Sequence, residues 1–167
     1  MNPLISRMAR HLASDRSSVR KHFPPATLDA IERAVADTER MHQGELRLVI
    51  EPGLTLADLW RRRSARDRAI ELFGRLGVWD TEHNSGVLIY VLLADYRVEI
   101  VADRGVHRRA GDGQWSTICG QMQAHFAAGR FEAGTLAGIA AVGALLTRHF
   151  PNTGASQNEL PDRPLVL

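Results

Sequence analysis

Six residues with reactive side chains bracket two adjacent apolar runs. Asp80, His83 and Asn84 stand before the first run, and Asp103, His107 and Asp112 follow the second. If the runs form a hairpin, the start of one strand lies beside the end of the next, and all six reach one end of a sheet. His83, His107 and Asp103 could there form a transition-metal site or an acid/base pair, because imidazole titrates near neutral pH. The seven histidines show no His-x-x-x-His or Cys-paired spacing, however, so surface or turn histidines are the favoured reading. Arg104, Arg108 and Arg109 stand among these residues and would repel a metal ion while attracting a phosphate or an acidic partner. The binding candidates are therefore Asp80, His83, Asn84, Asp103, Arg104, His107, Arg108 and Arg109. Two other signatures fail: Gly111-Asp112-Gly113 has no Gly-Lys-Ser/Thr after it, and Ser85 lacks the Gly-x-Ser-x-Gly elbow.

The elements that must position these residues follow from periodicity. Val87 to Leu93 is apolar throughout, as a strand covered on both faces should be, and Val98, Ile100 and Ala102 alternate as a more edge-like partner. The Ala94 to Tyr96 turn is too short for a crossover, so these two strands run antiparallel. Upstream, Pro24-Pro25 opens a helix with Leu28, Ile31, Val35 and Thr38 on one face, and a strand follows over Glu45 to Glu51. Pro52-Gly53 stops that strand. Thr55 with Asp58 reads as a capping box, and Leu59, Arg63, Ile70 and Phe73 carry a helix to Gly77. Strand, helix, strand implies a right-handed crossover and parallel pairing. A charged, glycine-bearing segment spans Val106 to Gly113. Trp115, Ile118, Cys119, Met122 and Phe126 then define an amphipathic helix, and a last helix runs from about Phe131 to His149 with many small residues. The fold expected is α/β: a three-layer α/β/α sandwich around a short mixed β-sheet, with 1–22 a basic amphipathic helical extension, 23–150 the domain and 151–167 a flexible tail.

Composition narrows the function classes. The chain has 167 residues, 44% hydrophobic and 24% charged, ordinary for one soluble globular domain. The net charge of +2 and few interleaved aromatics argue against nucleic acid. Arg61, Arg62, Arg63, Arg66 and Arg68 make a local basic face suited to phosphate or anionic lipid, although a solvated helix face with Asp67 and Glu71 is the plainer reading. Cys119 stands alone, which excludes an internal disulfide and a Cys-based zinc site. Residues 1–21 are basic and lack the continuous apolar stretch of a secretory signal, so a cytoplasmic location is expected. Ala133 to Leu146 is shorter than the ~20 residues that span a bilayer. Leu4, Ile5, Met8 and Leu12 form an apolar stripe among basic residues, which would suit docking on the domain or weak contact with an anionic membrane surface.

Asn84-Ser85-Gly86 leading into the apolar strand, Asp95 with Arg97 in the hairpin, Val98, Ile100, Gly105 and the phrase Phe126-Ala127-Ala128-Gly129-Arg130-Phe131 together resemble the TPM-domain family, also called TPM phosphatase. The resemblance covers Phe23 to about Phe150. It implies acidic residues at this sheet end that bind a divalent cation, calcium or magnesium before zinc or manganese, in a metal-dependent acid phosphatase. The positions concerned here are Asp80, Asn84, Asp103 and Asp112. Relatives carry an acidic-Asn-Gly lead-in and a Gly-aromatic-Gly-Leu-Glu phrase after the third strand. This chain reads His83, Asn84, Ser85, Gly86 and Asp103, Arg104, Gly105, Val106, His107. Two carboxylates are thereby replaced by imidazoles, which are poor ligands for calcium or magnesium.

The reading that results is a non-catalytic binding or adaptor module that acts with a membrane-associated protein partner, peripheral at the inner membrane. A phosphatase acting on phosphate monoesters is the alternative.

Overall fold

The computed structural model describes residues 3–154 and 157–167, with the backbone alone at positions 3, 4 and 112. Leu4 of the expected apolar stripe and the carboxylate of Asp112 thus lie outside the described side chains. In chain order the elements are α1 (Pro3–Ala13), α2 (Arg16–His22), α3 (Pro25–Glu39), β1 (Glu45–Glu51), α4 (Leu56–Trp60), α5 (Ala65–Arg75), β2 (Gly86–Leu92), a 3-10 turn (Leu93–Asp95), β3 (Arg97–Ala102), α6 (Arg104–Ala110), α7 (Asp112–Ala127), α8 (Phe131–His149) and β4 (Leu165–Val166). The sheet order is β3-β2-β1-β4. β1 is parallel to both β2 and β4, and β2 is antiparallel to β3, with Val91 opposite Val98.

Strand periodicity divides the core in two. Leu46, Leu48 and Ile50 of β1 and Val87, Ile89 and Val91 of β2 face one layer with Ile31, Met122, Phe126 and Val142. Val49, Leu88, Tyr90 and Leu92 face the other, with Leu59, Ala69 and Leu72. Every residue of β1 and β2 is buried; β2 accordingly reads as an uninterrupted apolar run, whereas β1 also buries Glu45, Arg47 and Glu51. Each large aliphatic side chain removed from water here contributes ~1.5–3 kcal/mol. The expected α/β/α sandwich around a mixed sheet is the observed one.

The small residues of α8 serve close helix packing. A Cβ on Gly138 would meet Met122 Sδ at 2.3 Å, and one on Gly143 would meet Thr38 Oγ1 at 1.8 Å. Both faces of approach, to α7 and to α3, lie inside the domain. No helix among the described residues is long and apolar enough to cross a membrane.

Three segments differ from expectation. The helix expected from Thr55 to Gly77 is two. Thr55 Oγ1 caps α4 by accepting from Asp58 N at 3.2 Å, but the chain turns through Arg62 at φ 52° and restarts at Ser64, whose hydroxyl accepts from Asp67 N while Asp67 accepts from Ser64 N. This reciprocal capping box, which Thr55 and Asp58 do not complete at α4, resets the helical phase, so Ile70 faces solvent and Ala65, Ala69 and Leu72 face the core. The charged segment after β3, given no secondary structure from the sequence, is α6, with Asp103 as its cap. Residues 157–167, expected as part of a loose tail, run back along β1. Arg47 donates to the Pro161 carbonyl at 2.7 Å, Glu45 Oε2 accepts from Glu159 N and Leu160 N at 3.1 and 3.0 Å, and β4 pairs with β1. These ties engage the main chain of residues 159–166 across more than a hundred positions, so they leave no periodic trace in the sequence.

The basic extension also docks. His11 is buried, its Nδ1 accepts from Leu54 N at 2.9 Å, and its Nε2 lies 3.1 Å from Asp95 Oδ2. Arg7 and Arg10 reach the same carboxylate at 2.9 and 3.2 Å. Val19 and Phe23 enter the main core.

Candidate functional site

The turn before β2 and the segment after β3 meet at one end of the sheet. Asp80 N donates to Gly77 O, Asn84 N to Thr81 O, and Asn84 itself takes a left-handed φ of 49°. Ser85 is buried, with its hydroxyl donating to Gln43 O at 2.9 Å. Asp103 N donates to Gly86 O at 2.8 Å, so the two loops are laced by a main-chain bond. Gly105 lies so close to Asn84 that an added Cβ would stand 2.5 Å from its carbonyl oxygen. This contact allows only glycine at 105.

Within this frame Asp103 is buried, and its Oδ1 accepts from Arg104 N at 2.6 Å at the start of α6. Its Oδ2 is buried without a hydrogen-bond partner. Asp80, His83, Asn84, Arg104, His107 and Arg108 are exposed. His83 Nε2 lies 4.0 Å from Glu82 Oε2. Arg109 is committed elsewhere: its guanidinium sits 4.3 Å from the Phe150 ring centroid and donates to His149 O, which fastens α6 to the end of α8.

Among the described residues, no three His, Cys, Asp or Glu side chains converge as a metal site. One buried carboxylate, half consumed as a helix cap, is not the multidentate oxygen set that calcium or magnesium takes. The described side chains therefore do not fit the implied cation, and no chemical step is drawn through it. Two further reactive side chains among the described residues are not activated. Burial, with Glu99 nearby, pushes the Cys119 thiol up to about 11. Burial lowers His42 to about 4, and its Nδ1 faces the Gly44 backbone.

A second polar cavity, of about 360 Å³, has no counterpart in the sequence reading. Glu39, Glu45, Asn158 and Asp162 line it. Burial, reinforced by neighbouring carboxylates against the Leu46 N–H, raises Glu39 to about 9. Burial likewise raises Glu45 to about 7. Glu45 was legible only as a strand residue, because Asp162 and Glu159 arrive from more than a hundred residues away.

The comparisons agree with this architecture. The TPM domain family matches residues 20–145. The BA42 protein of the psychrophilic bacterium Bizionia argentinensis is 30% identical and superposes with a TM-score of 0.75 over 85% of this chain and 93% of that one. The N-terminal domain of a protein from P. gingivalis, 22% identical, shares the fold with a TM-score of 0.62 over 77% of this chain and 80% of its own. No curated protein matches.

Proposed function

We propose, from the premise that this chain belongs to the TPM domain family, that it is a non-catalytic binding module. It docks through the Asn84 turn and α6 to an acidic surface of a membrane-associated protein partner. The observation that carries this reading is the fate of Asp103: its carboxylate is turned inward to cap α6, while Arg104 and Arg108 stand exposed beside it. Two guanidinium groups thus stand on the rim where the buried carboxylate is turned away from it, although Asp80 and Glu82 are exposed nearby, and guanidinium forks suit carboxylate or phosphate groups.

The test compares the parent protein with an Arg104→Glu/Arg108→Glu variant for capture of a detergent-solubilised membrane fraction, with phosphate-ester hydrolysis measured beside it under calcium, magnesium, manganese and zinc. Loss of capture in the variant and no metal-dependent turnover support the module. Unchanged capture overturns it. The second reading, a metal-dependent phosphatase, has one observation in its favour, the unpartnered Asp103 Oδ2. Turnover that needs a cation and disappears in Asp103→Asn would replace the module with that enzyme.

A further inference from the structure

At the opposite end of the sheet, beyond the C-terminal ends of β1 and β2, lies a surface that the partner-binding reading does not use. α1 contacts α4 there. Trp60 is 72% exposed, Leu12 66%, Ile5 59% and Leu56 44%. Ile5 and Leu12 are seven residues apart and share one face of α1, while Leu56 and Trp60 are four apart and share one face of α4. His11 and Leu59 occupy the buried sides of the same helices, so the apolar exposure is directed outward rather than left over from poor packing.

Charge follows immediately. Arg61 and Arg62 succeed Trp60, are exposed, and have no acidic partner among the described residues. The nearest acid in sequence, Asp58, is occupied by Arg63 at 3.0 Å. A neighbouring open cavity of about 480 Å³ is lined by Arg7, Arg62, Arg66 and Arg97. Its two acids are each shared by two arginines, Asp95 by Arg7 and Arg10 and Glu99 by Arg66 and Arg97, so positive charge is in excess. Apolar side chains with a Trp, flanked by uncompensated arginines, match the two layers of a membrane interface: acyl boundary below, phosphate headgroups above.

We propose that the α1–α4 end is a peripheral docking surface for an anionic phospholipid bilayer, with Trp60, Leu56, Ile5 and Leu12 entering the headgroup boundary and Arg61 and Arg62 meeting lipid phosphates. A membrane is favoured over a protein occupant because the exposed apolar side chains are flanked by a basic excess, five arginines against the two acids Asp95 and Glu99 around the adjoining cavity. It is also favoured over a second copy, whose face would bring the same arginines into opposition. The docked molecule would hold α6 and the Asn84 turn away from the bilayer, free to meet a partner.

Vesicles of phosphatidylcholine with and without phosphatidylglycerol, at low and high salt, provide the test, read by co-sedimentation and tryptophan emission. The parent is expected to bind the anionic vesicles alone, with a blue shift lost in Trp60→Phe. Arg61→Gln/Arg62→Gln and Leu56→Ala/Trp60→Ala should each weaken binding about tenfold or more at unchanged melting temperature. Soluble glycerol phosphate should not compete. Competition by it would assign the arginines to a free phosphate ligand and overturn the proposal. Equal binding to both vesicle types, no binding, variants that bind like the parent, or self-association abolished by the Trp60 variant would each overturn it as well. Arg104→Glu/Arg108→Glu should bind vesicles normally, so failure here and failure of the partner reading are told apart.

Discussion

The Tyr90 hydroxyl donates 2.7 Å to Glu51 Oε2 beneath α5, and the same carboxylate receives the fork of Arg68 at 2.9 and 2.8 Å. All three groups are largely withdrawn from water. The hydrogen bonds to Glu51 hold the Arg68 guanidinium above its ordinary range. Tyr90→Phe should cost about 1–2 kcal/mol, because Glu51 keeps its arginine. Arg68→Ala should cost about 3–5 kcal/mol, because it strands a buried carboxylate. Urea unfolding of the two variants checks the ordering; equal losses would mean that the network is not coupled in this way.

A different carboxylate governs the N-terminal extension. Burial alone would raise Asp95, but hydrogen bonds from His11 and Arg7 hold it far below the usual carboxylate range. A depressed carboxylate contributes stability above its unfolded value of about 4 that is lost as pH falls further. Asp95→Asn should therefore loosen α1 by about 1–2 kcal/mol at neutral pH, discounted because Arg10 is half exposed. Faster amide exchange confined to residues 3–13 is the expected signature. Unchanged exchange there would show that α1 is held by its apolar side alone.

The Glu39 cavity predicts an opposite slope. A carboxyl raised to about 9 binds a proton in the folded state that the unfolded chain has released, so stability falls as pH rises between the unfolded value and about 9. His42, lowered to about 4, acts the other way below about pH 6.5, and Cys119 adds to the loss above about pH 8.5. Between pH 7 and 8.5 Glu39 dominates, with a limiting slope of about 1.4 kcal/mol per pH unit. Glu39→Gln, which retains an acceptor for Leu46 N, should flatten the melting profile in that window and raise it at the alkaline end. A parallel, undisplaced profile would refute the assignment.

Glycine substitutions separate contact from conformation. A Cβ at Gly86 would stand 1.8 Å from the Val78 carbonyl, a main-chain atom that cannot step aside, whereas Gly120 within α7 faces open space. Gly86→Ala should cost about 2 kcal/mol or more, and Gly120→Ala should stabilise by about 0.5–1 kcal/mol. Thermal melts of the two should move in opposite directions.

The layers, the hairpin and the parallel crossover were readable because β2 is buried on both faces and so appears as an apolar run, while Pro52-Gly53 marks the end of β1. The meeting of Asn84 with the segment after β3 followed from hairpin geometry alone. The two-part helix was not readable in detail, since Ser64-x-x-Asp67 is a local signal that competes with a periodicity seemingly continuous from Leu59 to Phe73. Asp103 was seen as a reactive carboxylate; that it caps a helix depends on Gly105 permitting the backbone to turn against Asn84. The Glu39 cavity and the docked stretch 157–167 rest on contacts between distant segments, to which a windowed pattern is blind.

Val49 and Leu165 are neighbours in the sheet although most of the chain lies between them. Until that pairing forms, the Val49–Ile50 end of β1 offers unpaired amides and carbonyls, and such an edge invites pairing with another chain. Closing it brings together segments more than a hundred residues apart, which costs loop-closure entropy. The two-residue strand thus acts as a guard against intermolecular β-pairing, and its influence falls on refolding yield at high concentration more than on the stability of the finished molecule.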